Sequence, residues 1–228
     1  RYILTDPVFT ELVGGFSRRL VAASLQPPAL PNNLTVVVSH RHFDHLSKDS
    51  LRLTASHIQH VVTPVGAGDD IPESTYQTHE LAWWTTWEDN GLKITAVPAV
   101  HEGNRFLHDE SSHPSAFGGY VIEYRGHRVY FPGDTAYRQE LFAAIAARVG
   151  AIDLALMPIG PIAPTEMMLS HHMNPSQALQ ATEDVQAEQM VPVHFGAYMH
   201  SFDDPGDCER AFDAALLARP ALQGSAHR

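Results

Sequence analysis

The sequence predicts an α/β fold of two sheets with helices packed outside them, and three observations carry that expectation. Residues 34–38 (LTVVV) are an unbroken apolar, β-branched run of the kind that lies buried on both faces of a sheet. Two hairpin patterns follow one another between residues 81 and 131. From residue 138 onward, amphipathic helical stretches alternate with short apolar strands. Helices outside two sheets fit that order best. A doubly wound βαβ sheet fits less well, because the two hairpins interrupt its alternation.

Taken in order, residues 2–9 (YILTDPVF) read as a strand, 48–56 as a short helix and 59–64 as a second buried strand. Residues 81–88 and Leu92–Val97 form the first expected hairpin, turned at Asp89-Asn90-Gly91, where Asn-Gly supplies positive φ angles. Gly119–Tyr124 and His127–Phe131 form the second, around Arg125-Gly126. Residues 138–149 place Leu141, Phe142, Ile145 and Val149 on one helix face that stops at Gly150. Residues 153–158 (DLALMP) are another buried strand. Asn174 caps an expected helix, with Pro175 at its first position, that runs to about Ala187. Residues 190–193 form a strand and 207–218 a last helix through Cys208, Ala211, Phe212, Ala215 and Leu216. With no internal repeat, linker or low-complexity tract, one domain over residues 1–228 is expected. The chain opens at Arg1, without Met, inside strand-like sequence. An N-terminal truncation is therefore expected, and with it the loss of any targeting segment.

The formal net charge is -11, with 15 Lys and Arg against 26 Asp and Glu, so a phosphate backbone is repelled and nucleic acid is not the expected partner. The single cysteine, Cys208, excludes an intramolecular disulfide and a thiolate zinc site. Histidine, at 15, equals Lys and Arg together, and its placement decides what that abundance means.

His40, His42, Asp44 and His45 fall within six residues at the end of the 34–38 strand. His40 and His42 lie two apart, so in an extended stretch both side chains point one way and can grip one ion. Asp44 and His45 then suit a second ion nearby. A core would demand a hydrogen-bond partner for every one of these imidazoles. His101 ends the strand-like run 94–100, Asp134 follows His127–Phe131 in FPGDT, and His194 follows 190–193 in VPVHFG. Alone, His101 or His194 reads equally as a structural histidine, and Asp134 as a turn residue. Together they repeat one pattern, a buried strand with a metal-type ligand at its C-terminal end.

SHRHFDH at residues 39–45 resembles the His-x-His-x-Asp-His signature of the metallo-β-lactamase superfamily. LTDPVF, VVVSHRHFDHLS, ITAVPAVHEGNR, VYFPGDTAY, DLALMPIG, HHMNPSQALQ and VPVHFG are similar, in order from about residue 3 to 198, to the branch of N-acyl-phosphatidylethanolamine-hydrolysing phospholipase D and ascorbate-phosphate lactonases. The resemblance implies an αββα sandwich, here expected to lack the first N-terminal strand. It implies two Zn²⁺ or other divalent ions: one on His40, His42 and His101, the other on Asp44, His45 and His194, with Asp134 bridging. A hydroxide shared between such ions attacks the electrophile. Asp44 and His172 are the implied catalytic candidates, His172 polarising a phosphoryl or carbonyl oxygen or protonating the leaving group. An exposed helix-approach residue is the other reading of His172, and His171 is left unassigned. Asp6 reads either as a partner that orients a ligand imidazole or as a strand-end cap beside Pro7. Thr135 reads first as a turn residue, the three tryptophans as sheet packing, and residues 167–169 as a loop anchor or an apolar substrate wall.

The expected reaction is hydrolysis of a phosphodiester, with a lactone or carboxylic ester as the alternative within the same chemistry. A non-catalytic metal-binding domain is the alternative from another class, disfavoured by the complete ligand set. An amidohydrolase barrel needs no Asp-His after His-x-His and more residues than 228. The expected partner is a small-molecule or lipid-like substrate. Membrane contact is left open, and a cytoplasmic or membrane-peripheral location is favoured.

Overall fold

The structure is a computed structural model that describes residues 1–105, 116–199 and 201–227. Strands β1 (Ile3–Thr5), β4 (Leu34–Val37), β5 (Ile58–Pro64) and β6 (Gln77–Leu81) form a wholly parallel sheet in the order β1-β4-β5-β6. A second sheet has the order β12-β11-β10-β9-β8-β7, built from β7 (Thr86–Asp89), β8 (Leu92–Val97), β9 (Gly119–Tyr124), β10 (His127–Phe131), β11 (Ile152–Pro158) and β12 (Ala187–Val193). Its β10-β11-β12 half is parallel and its β7-β10 half antiparallel. A two-stranded hairpin, β2 (Leu12–Val13) with β3 (Ser17–Arg18), stands apart from both sheets.

Period-two alternation of side chains divides the interior into three apolar layers. Leu34, Val36 and Val38 face away from the second sheet and pack with Leu51 of α1 (Lys48–Thr54). Val37 and Val62 point the other way, onto Leu92, Ile94, Tyr120, Ile122 and Phe131 between the sheets. The opposite face of the second sheet, through Val121, Tyr130, Ala155, Met157 and Met190, is covered by three helices. These are α2 (Gln139–Val149) with Phe142 and Ile145, α4 (Pro175–Asp184) with Ala178 and Leu179, and α5 (Asp207–Leu217) with Cys208 and Phe212. The short α3 (Thr165–Met168) lies on the connection between β11 and α4. The expected αββα sandwich is thereby present.

Most expected elements stand within a residue or two of their predicted bounds, and the 119–131 hairpin matches at both ends. The stretch 81–88 differs. It closes β6 on the first sheet and opens β7 on the second, with the chain bending at Trp84, whose φ is 70°. Alternating polarity reports a strand's faces and not the sheet it joins, so one pattern spans two sheets. The helix from Pro175 ends at Asp184 rather than near Ala187, because Gln186 takes the left-handed region (φ 56°) and β12 begins at once. The β2–β3 hairpin has strands of two residues, too short for any periodicity to show.

Candidate metal centre

Each expected ligand sits just beyond the C-terminal end of a strand, and both sheets contribute. His40, His42, Asp44 and His45 follow β4 of the first sheet. His101, Asp134 and His194 follow β8, β10 and β12 of the second. The 40–46 segment is a tight turn rather than the extended stretch expected, with His45 and Leu46 amides donating to the His42 carbonyl at 3.1 and 2.8 Å. His40 and His42 still converge, but through unlike nitrogens: His40 Nε2 and His42 Nδ1 are 2.9 Å apart, and His101 Nε2 is 3.2 Å from His42 Nδ1. Gly133 lets the Asp134 loop approach this turn, since a Cβ there would lie 2.4 Å from Ser39 Cβ on a φ of 63°. His194 itself holds a φ of 59°, strain of a sort that collects at functional sites.

The donor atoms form two adjoining groups, His40-His42-His101 and Asp44-His45-Asp134-His194, each within 4.8 Å. Asp134 lies against both. Its Oδ2 is 3.2 Å from His45 Nε2 and 3.9 Å from the Nε2 atoms of His40 and His101, and its Oδ1 is 3.3 Å from His194 Nε2. Asp44 Oδ2 lies 3.4 Å from the Nε2 atoms of both His45 and His194.

The outer nitrogens decide what the inner ones carry. His101 Nδ1 donates to the His171 carbonyl and His194 Nδ1 to the Gly160 carbonyl, each at 2.9 Å. His45 Nδ1 donates to Asp6 Oδ2 at 2.5 Å. Ser39 Oγ gives its one proton to Asp6 Oδ2 (2.5 Å) and so accepts from His40 Nδ1 (2.9 Å). In these four rings the neutral tautomer leaves an Nε2 lone pair aimed inward. His45 Nε2 and His194 Nε2 face each other at 3.0 Å. Two lone pairs at that separation repel unless a cation lies against them, so the donor set fits metal ions.

Electrostatics divide the two groups: the first is held neutral, whereas the carboxylates of the second draw positive charge, a proton or a metal ion, to His45 and His194. Burial, then the neighbouring histidines, holds His40 well below the usual imidazole range. Burial also lowers His42, and brings His101 down to about 3. Burial opposes charge on His45 and His194 as well, yet the carboxylates, Asp134 foremost, override it and raise both. Asp44 and Asp134, despite burial, are held well below the carboxylate range by His45 and His194. A buried pocket with two carboxylates and five imidazoles presents negative charge and lone pairs to whatever enters it.

His172, following α3, is brought to the same place. Its Nδ1 is buried without a hydrogen-bond partner, 3.6 Å from Asp134 Oδ2, and its ring stacks on His194 at 5.8 Å. Burial lowers its pKa to about 4. The Asn174 N-cap, a full capping box with Gln177, fixes the loop just after it. His171 lies farther out, its Nε2 3.7 Å from Glu102, while its carbonyl holds His101.

Asp6 is an orienting partner, not merely a strand-end cap: it accepts from the Ser39 amide and hydroxyl and from His45. It also lies within 4.8 Å of His40 and His45 as a potential ligand, but it engages the outer Nδ1 side. Thr135 does more than turn the chain, since its hydroxyl accepts from the Val100 amide and ties the Asp134 loop to the His101 loop. Ser39 and Arg105 carried no expectation, although both stand inside the quoted motifs. Asp6→Asn is expected to weaken metal binding about 10–100-fold, because outer-shell partners have that weight. Competition with a chromogenic chelator measures it, and an unchanged affinity would strip Asp6 of the role.

A family model described as "Beta-lactamase superfamily domain" matches residues 1–195. The chain is 31% identical over 213 residues to N-acyl-phosphatidylethanolamine-hydrolyzing phospholipase D 1 of Caenorhabditis elegans, covering 86% of this chain and 59% of that protein. It is 28% identical over 187 residues to a metal-dependent hydrolase of Pelotomaculum thermopropionicum, covering 80% and 76%. Among solved structures, CmlA, a diiron β-hydroxylase from Streptomyces venezuelae, superposes with a TM-score of 0.72 at 16% identity, over all of this chain and half of that one. That likeness concerns the fold.

Proposed function

The chain belongs to the β-lactamase superfamily, and from that premise we propose that it is a metal-dependent hydrolase with two divalent ions, zinc first among them, acting on a phosphodiester. The convergence of inward-facing imidazole nitrogens on the buried Asp134 and the half-buried Asp44 carries this reading. In it His40, His42 and His101 would hold one ion and Asp44, His45 and His194 the other, with the Asp134 carboxylate in reach of both groups. Bound there, divalent ions would supply an acidified water as nucleophile and a counter-charge for the electrophile. The protein's own part is to orient the donors through Ser39, Asp6, His171 and Gly160, and to set His172, kept neutral by burial, beside the reacting centre as a hydrogen-bond donor or proton acceptor.

A lipid-like ester is supported by an apolar cavity of about 180 Å³ lined by Val13, Phe16, Ser17, His42, Phe43 and Asp44. Phe16 on the β2–β3 hairpin is 76% exposed, and Leu12, Leu20 and Met199 are exposed around it. The hairpin is tied to the segment after His194 by Leu20 N to Ala197 O and Met199 N to Arg18 O. A hydrocarbon substituent fits this wall better than a small charged ester does. The names of the phospholipase D relatives support the same class. Among the described residues no helix is long and apolar enough to cross a membrane.

A panel of an N-acyl phospholipid, a soluble phosphodiester, a lactone and a β-lactam tests the reading on zinc-loaded protein. The phosphodiesters should turn over, the acylated one with the lower KM. Turnover of the lactone alone would replace the phosphodiester with the carboxylic-ester reading, and absence of bound metal would sink both.

A further inference from the structure

Arg105 is only 9% exposed, an uncommon place for a guanidinium. Its Nη1 donates to the Arg41 carbonyl at 2.7 Å and to the Leu46 carbonyl at 3.0 Å. Its guanidinium carbon stands 4.3 Å from the centroid of the Phe43 ring. Arg41, Phe43 and Leu46 frame the turn that bears His40, His42, Asp44 and His45, so one side chain holds both ends of the turn and covers its middle. Arg105 comes four residues after His101, and therefore joins the ligand-bearing loop of the second sheet to that of the first.

We infer that Arg105 is a positioning residue for the metal centre, clamping the 40–46 turn so that its four donor side chains are gathered before an ion arrives. The inference rests on the metal-centre reading above. Burial of a guanidinium is unfavourable unless its N–H groups find acceptors, and here the acceptors are carbonyls on the very turn that must be shaped. The flat cation also lies against an aromatic ring. A lysine has no plane to lay against the ring while its tip bonds the two carbonyls.

The test compares wild type with Arg105→Met and Arg105→Lys by Co²⁺ affinity under chelator competition, by the visible spectrum of the Co²⁺ protein, and by thermal unfolding without metal. Both variants should bind Co²⁺ about 10–100-fold more weakly, the scale of an outer-shell loss. Their Co²⁺ bands should be altered, and kcat should fall more than KM rises. Methylguanidine should restore part of the affinity of Arg105→Ala. A role in stability alone would lower the metal-free unfolding temperature and leave affinity and spectrum as in wild type, and that result overturns the inference. If Arg105→Met does not fold, Arg105→Lys is read by the same criteria. A wild-type protein that binds no Co²⁺ would overturn the metal-centre reading itself, and the clamp with it.

Discussion

Asp134→Asn is expected to empty the centre of metal and bring hydrolysis to background, a loss on the order of 10³-fold or more, or several kcal/mol of transition-state stabilisation. The carboxylate is buried and touches ligands of both groups, His45 at 3.2 Å and His194 at 3.3 Å, with His40 and His101 at 3.9 Å. An amide keeps the volume but removes the charge, and it turns N–H donors toward nitrogens that already point lone pairs inward. Elemental analysis of freshly purified protein and turnover on the same sample check it together. An asparagine variant that keeps two ions and measurable turnover would show that Asp134 does not join the two positions.

His172→Ala should behave differently, with kcat lower by about 10²–10⁴-fold, the range for a general acid or base, and metal content unchanged. The ring stacks on His194 and approaches Asp134, yet it belongs to neither donor group. The hydrogen bond that steadies His101 is donated by its Nδ1 to the backbone carbonyl of His171 and survives the substitution. Metal content, kcat and KM measured side by side separate the outcomes. Loss of an ion would make His172 a ligand and end its assignment to the substrate.

Much of the candidate site was legible because the proposed ligands share a local pattern. Each follows an apolar strand whose boundary is written in the sequence, as at residues 34–38 and at His127–Phe131. Asn174-Pro175 announced its helix for an equally local reason, a side-chain cap with its Gln177 counterpart. What stayed hidden depends on partners distant in the chain. No spacing rule says that His42 turns in its Nδ1 while His40 turns in its Nε2, because that follows from the tight turn at 41–45. Ser39 reads as an ordinary strand-end residue until Asp6, 33 positions away, is found beneath it. Residues 81–88 look like one strand because the bend at Trp84 depends on which sheet receives each half.

The ligands' division between the sheets has a mechanical consequence. The turn after β4 belongs to one sheet, whereas His101, Asp134 and His194 belong to the other. Ions bound among them would act as a clasp across the sandwich, adding to the apolar contacts and to the hydrogen bonds, those of Arg105 and of Tyr120 to the Val38 carbonyl among them, that already join the layers. Because no element alone presents a full donor set, affinity for the ions is expressed only when both layers are in place. Binding at the proposed centre would therefore add to the cooperativity of the whole fold rather than to one loop, by about 2.7 kcal/mol per site when free ion stands at a hundred times its Kd. Stripping the ions would relax the join between the layers and leave each layer's own packing intact.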